Sequence, residues 1–163
     1  MFPGLNRWYP IKDGNKAAYA LMRRHYSFNA YADGRRQDLS YRNRHLFVGP
    51  GESLVLMTCD SLALFVWRKF IDKSGEVGVN CAVFHNEGPH LSSELIVEAE
   101  ELAWVKWPGE RLYTYIDPKA VRTGRPKTGK PFVGKCYTKA GWTKLPYTTK
   151  KNGLYVFEKL PPP

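Results

Sequence analysis

Apolar positions along this chain switch between two periods. Over 15–26, Ala18, Leu21 and Met22 fall at helical spacing behind Asn15, whose side chain suits a helix N-cap, so a first helix is expected there. Residues 28–44 are polar, rich in arginine and interrupted by Gly34, which reads as a surface loop or a short irregular helix. Two runs rich in β-branched and aromatic residues, 53–60 and 62–71, are separated by Asp60-Ser61 and predict a hairpin; after a turn at 72–75, residues 77–84 supply a third strand of the same meander.

The period then changes. Leu91, Leu95, Ala99 and Leu102 are spaced for a helix over 91–107, with Ser92 or Ser93 as its N-cap, Glu94 facing the positive end of the helix dipole and Pro108-Gly109 as the stop. A β-rich run at 111–116 ends at Asp117-Pro118, and strand, helix, strand at this spacing makes a crossover with parallel neighbours. A short helix at 134–141, strands at 142–148 and 154–160 and a turn at 150–153 complete the pattern. The expected fold class is therefore α/β (α+β): a mixed sheet with an antiparallel N-terminal meander, a central strand-helix-strand crossover and a C-terminal hairpin.

The 163 residues suit one domain, 1–163, and 43% hydrophobic residues supply a core, so a wholly disordered chain is excluded. The longest apolar runs are far shorter than the ~20 residues of a membrane-spanning helix, and the first ten residues carry no secretory signal, so a cytoplasmic protein without a membrane partner is expected. Cys59, Cys81 and Cys136 suggest neither a disulfide framework nor a structural zinc site. Cys59 and Cys81 read as small buried hydrophobes in strands, while Cys136, beside Lys135 and Lys139, has a setting that favours a thiolate.

Charge sharpens the picture. The formal net charge is +10, yet residues 74–110 carry mainly glutamates, while 119–151 hold ten basic and no acidic residues. Arg23, Arg24, Arg35, Arg36, Arg42 and Arg44 form a second basic group around His25-Tyr26-Ser27. Lysines and arginines that neutralise phosphates release counterions, so two basic segments lining one groove point to DNA or another polyanion, with Arg23, Arg24, Arg35, Arg36, Lys119, Arg122, Arg125, Lys127 and Lys130 as candidate contacts. A solvated basic surface is the alternative.

The order of elements resembles the GNAT N-acetyltransferase fold over nearly the whole chain, most recognisably in Gly134-Lys-Cys-Tyr-Thr-Lys-Ala-Gly-Trp142 following Tyr115-Ile-Asp-Pro118. Where GNAT enzymes place a glycine-rich loop for the acetyl-CoA pyrophosphate, this chain has Phe84-His-Asn-Glu-Gly-Pro-His-Leu-Ser-Ser-Glu94, with Gly88 alone and Pro89 removing an N–H donor. A narrower resemblance is to the bacteriophage Mom-type DNA-modification proteins, carried by His25-Tyr26-Ser27, Ser92-Ser93, Asp117 and Gly134-Lys-Cys-Tyr137, with His85 standing where that family often has arginine.

The resemblance implies a phage-type transferase, acting in the host cytoplasm, that modifies a base amine in DNA, with adenine the expected base. Its catalytic residues would be Asp117, Tyr137, His25, Tyr26 and Ser93. The small-molecule donor, acetyl-CoA or a related acyl donor, would meet His85, Gly88, Ser92, Ser93 and Tyr137. An acetyl-CoA-dependent N-acetyltransferase of small-molecule or protein amines, and an inactive GNAT-fold binder of nucleic acid or protein, are the other readings. His25 is a candidate general base, or with Asp117 a metal ligand, against the alternative of a histidine at a helix end. Asp117 lies where parallel sheets form ligand crevices, or simply makes an Asx turn before proline. Tyr137 is a proton donor to a leaving thiolate, a stacking platform for a flipped base or a core aromatic. His85 and His90 are candidates for phosphate or metal contacts, or are solvated.

Overall fold

The computed structural model describes residues 6–25, 46–120 and 134–163. It is a mixed α+β structure. In chain order the elements are β1 (Trp8–Ile11), α1 (Lys16–Arg24), β2 (Glu52–Thr58), β3 (Ala63–Lys69), β4 (Val79–Asn86), α2 (Ser92–Lys106), β5 (Leu112–Ile116), α3 (Lys135–Lys139), β6 (Thr143–Thr148) and β7 (Tyr155–Lys159). The strands form one sheet in the order β1-β2-β3-β4-β5-β7-β6, antiparallel throughout except for β4 beside β5. That parallel pair follows from the α2 crossover, and β7 inserts between β5 and β6 as the second arm of the C-terminal hairpin.

Alternation along the strands feeds two cores. Val55, Met57, Leu64, Val66 and Val83 meet Ala18, Tyr19, Leu21 and Met22 of α1 on one face. On the other, Leu56, Phe65, Trp67, Val79, Cys81, Leu112, Ile116 and Phe157 pack beneath α2 and α3. Burying each such Leu or Phe is worth about 2 kcal/mol, so the two layers fix the sheet between helices on opposite faces. Asn15 caps α1, its Oδ1 accepting from the Ala18 N–H at 3.0 Å.

Several expectations are corrected. The strand Trp8–Ile11 was not expected, because four residues that include Pro10 carry little periodic signal; it forms as an edge strand on β2, where a proline is tolerated. α1 stops at Arg24, with His25 already extended at ψ 140°. The N-cap of α2 is Leu91 rather than either serine, and no side chain caps the helix. Leu91 is itself exposed, while α2 buries Glu98 and Glu100 because each has a cationic partner. Cys59 is exposed at the β2–β3 turn, whereas Cys81 is buried. Among the described residues, no helix is long and apolar enough to cross a membrane.

Candidate functional site

The parallel pair β4–β5 is joined over three registers only, Val79 with Leu112, Asn80 with Tyr113 and Cys81 with Thr114. Beyond Cys81 the strands part. β4 runs on to Asn86 by pairing with β3, and β5 runs on to Ile116 by pairing with β7. At the point of separation the β3–β4 register slips: Val66 faces Val83 and Trp67 faces Cys81, which leaves Ala82 as the extra, exposed residue of a bulge. The two parallel strands are thus unpaired with each other at their carboxyl ends, and this gap, called the cleft below, is where open α/β sheets receive ligands.

The bulge also reverses the alternation of β4. Val79 and Cys81 face α2, but beyond Ala82 it is Phe84 that packs with the α2 core and Val83 that packs with α1. His85 is thereby carried to the α1 side. Its ring lies edge-on to His25 with centroids 5.7 Å apart, and its Nε2 is 2.5 Å from Glu87 Oε2. Glu87 is gripped in turn by Arg24, through Nε at 2.7 Å and NH2 at 3.1 Å. These partners draw the Glu87 carboxyl down to about 2, Arg24 first and His85 second. An ionised carboxylate only accepts, so the His85 Nε2 carries the proton, and in neutral imidazole Nδ1 is then the basic nitrogen. His25 is buried, and desolvation followed by the neighbouring His85 lowers its pKa to about 4, so it is neutral at pH 7; a backbone hydrogen bond at Phe84 opposes the shift.

The floor of the cleft is set by α3. Gly134 begins this helix at φ 78°, and a Cβ there would stand 2.5 Å from the Phe157 ring, so only glycine lets the turn pass over Phe157. Tyr137 follows one turn later. Its ring packs against Phe84, Trp142 and Phe157, and its hydroxyl reaches 3.4 Å from the Sγ of Cys81, the last residue of β4 paired with β5. Tyr137 is therefore a core aromatic whose hydroxyl lies against buried Cys81, where β4 and β5 part. Burial pushes the Cys81 thiol up to about 12 and raises Cys136 as well, which opposes the thiolate that Lys135 and Lys139 would favour.

Asp117 ends the β5 arm. Its Oδ1 accepts from the Lys119 N–H at 2.9 Å in an Asx turn directly after the strand. The loop before α2 is tied internally: Asn86 accepts from the Gly88 N–H at 3.0 Å and donates to the His90 carbonyl and the Ser92 hydroxyl at 2.9 and 3.0 Å. Ser93 occupies the first turn of α2. Arg7 binds His90 Nδ1 at 3.1 Å and the Glu98 carboxylate, fastening the start of the chain beside this loop.

Of the candidate residues, then, the fold brings His25 and His85 together on the α1 face, sets Tyr137 in the core on the α2 face, leaves Asp117 in the turn after β5, and puts Gly88, Ser92 and Ser93 in the loop and first turn leading into α2. Arg24 is occupied by Glu87 rather than presented to a polyanion, while Arg23 stays exposed. Tyr26, Arg35, Arg36, Arg122, Arg125, Lys127 and Lys130 lie outside the described residues. Among the described residues, no group of three or more potential ligands is placed to hold a metal. Sequence reasoning missed the Arg24–Glu87–His85 chain, since no pattern in 79–86 announces the bulge that turns His85 over. The short run Asn86-Glu-Gly88 was the available signal, an Asx turn placed directly after a strand. Compared with known proteins, the chain matches no family model, no curated protein and no solved structure.

Proposed function

We propose that the protein is a GNAT-like group transferase whose acceptor is a base amine in DNA, as the resemblance to Mom-type proteins implies. The observation that carries this reading is the parting of β4 and β5 beyond Cys81, next to the Ala82 bulge, with the Tyr137 hydroxyl 3.4 Å from Cys81 Sγ where the strands part. A base amine has to leave the DNA stack to enter such a cleft, which fits a flipped acceptor.

The donor is an activated acyl compound, which supplies a carbonyl carbon and a leaving group. The residues present do not form the diphosphate cradle of a typical coenzyme A site: the Gly88 N–H is spent on Asn86 and Pro89 has none. The reading therefore requires an acyl donor held chiefly within the cleft. Around it the roles divide by position. The proton that the amine loses passes to solvent, because His85, with Nε2 committed to Glu87 and its ring against His25, lies on the α1 face of β4 while Tyr137 lies on the α2 face. Tyr137 supplies a proton to the departing group, and Asp117 orients the amine from the β5 arm.

The test is mass spectrometry of nucleosides digested from the DNA of cells expressing the protein. A new nucleoside mass is expected from the wild type, falling at least about tenfold with Tyr137→Phe, which keeps the ring in the core and removes only the hydroxyl. No new mass from folded wild-type protein overturns the DNA reading, and acetyl-CoA-dependent acetylation of other amines is then the activity to assay.

A further inference from the structure

The six lysines Lys119, Lys135, Lys139, Lys144, Lys150 and Lys151 are exposed, and none has an ion-pair partner among the described residues. Five other cations are spent internally, Arg7 on Glu94 and Glu98, Arg24 on Glu87, Lys69 on Glu110, Arg111 on Glu76 and Glu158, and Lys159 on Glu100, while Arg23, Lys12, Lys16 and Lys73 are exposed and spread over other parts of the structure. Glu158 is the one acidic residue in 134–163, and Arg111 Nε takes it at 2.7 Å. The positive field of this edge of the sheet is therefore not cancelled locally.

Strand register places these charges relative to the cleft. Lys144 stands opposite Phe157 and shares its face, the face of α3, where its Nζ lies 4.3 Å from the centroid of the Tyr155 ring. Tyr155 pairs with Ile116, the residue before Asp117. The turn holding Lys150 and Lys151 consequently lies at the same end of the sheet as Asp117, Lys119 and the mouth of the cleft. Backbone bonds from Thr149 N–H to the Leu154 carbonyl and from Gly153 N–H to the Thr149 carbonyl, each 3.0 Å, hold that turn in shape.

We infer that the β6–β7 hairpin, with the turn after Asp117, is the track on which the DNA backbone lies while the acceptor base enters the cleft. The inference rests on the DNA reading above and locates the partner on one side of the cleft only. On the β4 side Arg24 is neutralised by Glu87, so the backbone is gripped by the lysine edge and left ungripped by Arg24. Each phosphate met by a lysine releases condensed counterions, and Tyr155, with Lys144 on its face, offers a half-buried ring beside the track.

The test compares two full-length variants of identical net charge, Lys144→Glu/Lys150→Glu/Lys151→Glu and Lys12→Glu/Lys16→Glu/Lys73→Glu. The second set is also exposed and lies at the opposite end of the sheet. Fluorescence anisotropy with a labelled DNA duplex of about 20 base pairs, titrated between about 50 and 200 mM salt, reads affinity and salt slope. The hairpin variant is expected to bind about 30-fold or more weakly at about 100 mM salt, with the slope smaller by about 2 to 3, while the control stays within about threefold of wild type. Equal weakening of both variants, or of neither, overturns the hairpin track and leaves DNA binding standing. A wild-type protein that binds no duplex at about 50 mM salt overturns the track and the DNA acceptor together.

Discussion

The two arms of the cleft use charge in opposite ways. On the β4 arm, Arg24, Glu87, His85 and His25 form a closed chain of contacts that runs from the end of α1 to the end of β4. On the β5–β7–β6 arm, Asp117 is turned into its own backbone, and Lys119, Lys144, Lys150 and Lys151 face solvent while Lys159 pairs with Glu100. The first arm spends Arg24 and Glu87 on fixing geometry, while the second leaves Lys119, Lys144, Lys150 and Lys151 without an ion pair among the described residues. A net charge of +10 is thus a poor description of either arm. The lesson is that a basic composition locates a polyanion only after the internally neutralised cations have been subtracted.

The sharpest way to break the contrast is to charge the β4 arm from within. His25 has a folded pKa of about 4 against 6.5 unfolded, so between those values the unfolded chain takes up a proton that the folded chain refuses. Stability is accordingly complete above pH 6.5 and falls as the pH drops toward 4. The loss is about 3 kcal/mol at its full extent, or about 6 to 12 °C in melting temperature for a chain of this size. His25→Gln, which cannot titrate, is expected to flatten the profile in that window. Thermal melts at half-unit pH steps check it, and an unchanged slope in the variant would show that the buried histidine does not carry the effect.

A smaller effect belongs to Glu87. Its folded pKa, about 2 against 4.5 unfolded, gives stability that is present above pH 4.5 and is lost as the pH falls through about 2. Because the carboxylate is partly exposed, solvent screening limits this to about 1 kcal/mol. Glu87→Gln should lower stability by about that amount at pH 7. It should also release His85, so that in a nitrogen-detected NMR titration the ring loses its preference for the Nε2-protonated form. Retention of that preference would mean that something other than Glu87 sets the tautomer.

How much of this was legible beforehand differs between the arms. The meander, the crossover and the closing hairpin follow from periods of two and of 3.6, and those periods survive into the structure because each strand and helix buries one clear face. The β5 arm was legible too, since Asp117-Pro118 after a β-rich run marks both the strand end and the turn. The β4 arm was not. A bulge changes which face every later residue occupies, and Ala82 is small enough to look like any other strand residue. Without the bulge His85 would fall beside α2, on the side of Tyr137, and the histidine pair would not exist. The Trp8–Ile11 edge strand was hidden for a different reason: its place comes from a distant partner, with the Trp8 indole N–H donating to the Leu95 carbonyl at 2.8 Å, and from nothing in its own four residues.

The smallest expected effect is the one that most sharpens the comparison. If Lys150 and Lys151 serve a partner, they contribute nothing to the fold, since an exposed lysine with no ionic partner has no pair energy to lose. Lys150 and Lys151 sit in a turn shaped by backbone bonds and by the Thr149 hydroxyl, which accepts from the Leu154 N–H at 2.9 Å, and neither lysine side chain takes part in these bonds. Reversing both charges should therefore change unfolding free energy by less than about 0.5 kcal/mol, with the sign set by relief of repulsion among neighbouring lysines. Chemical denaturation at low salt, where such repulsion is least screened, is the most demanding measurement. A loss of about 2 kcal/mol or more would show that the lysines hold the hairpin in place, and the division between an arm that fixes geometry and an arm kept for a partner would fail on its second half.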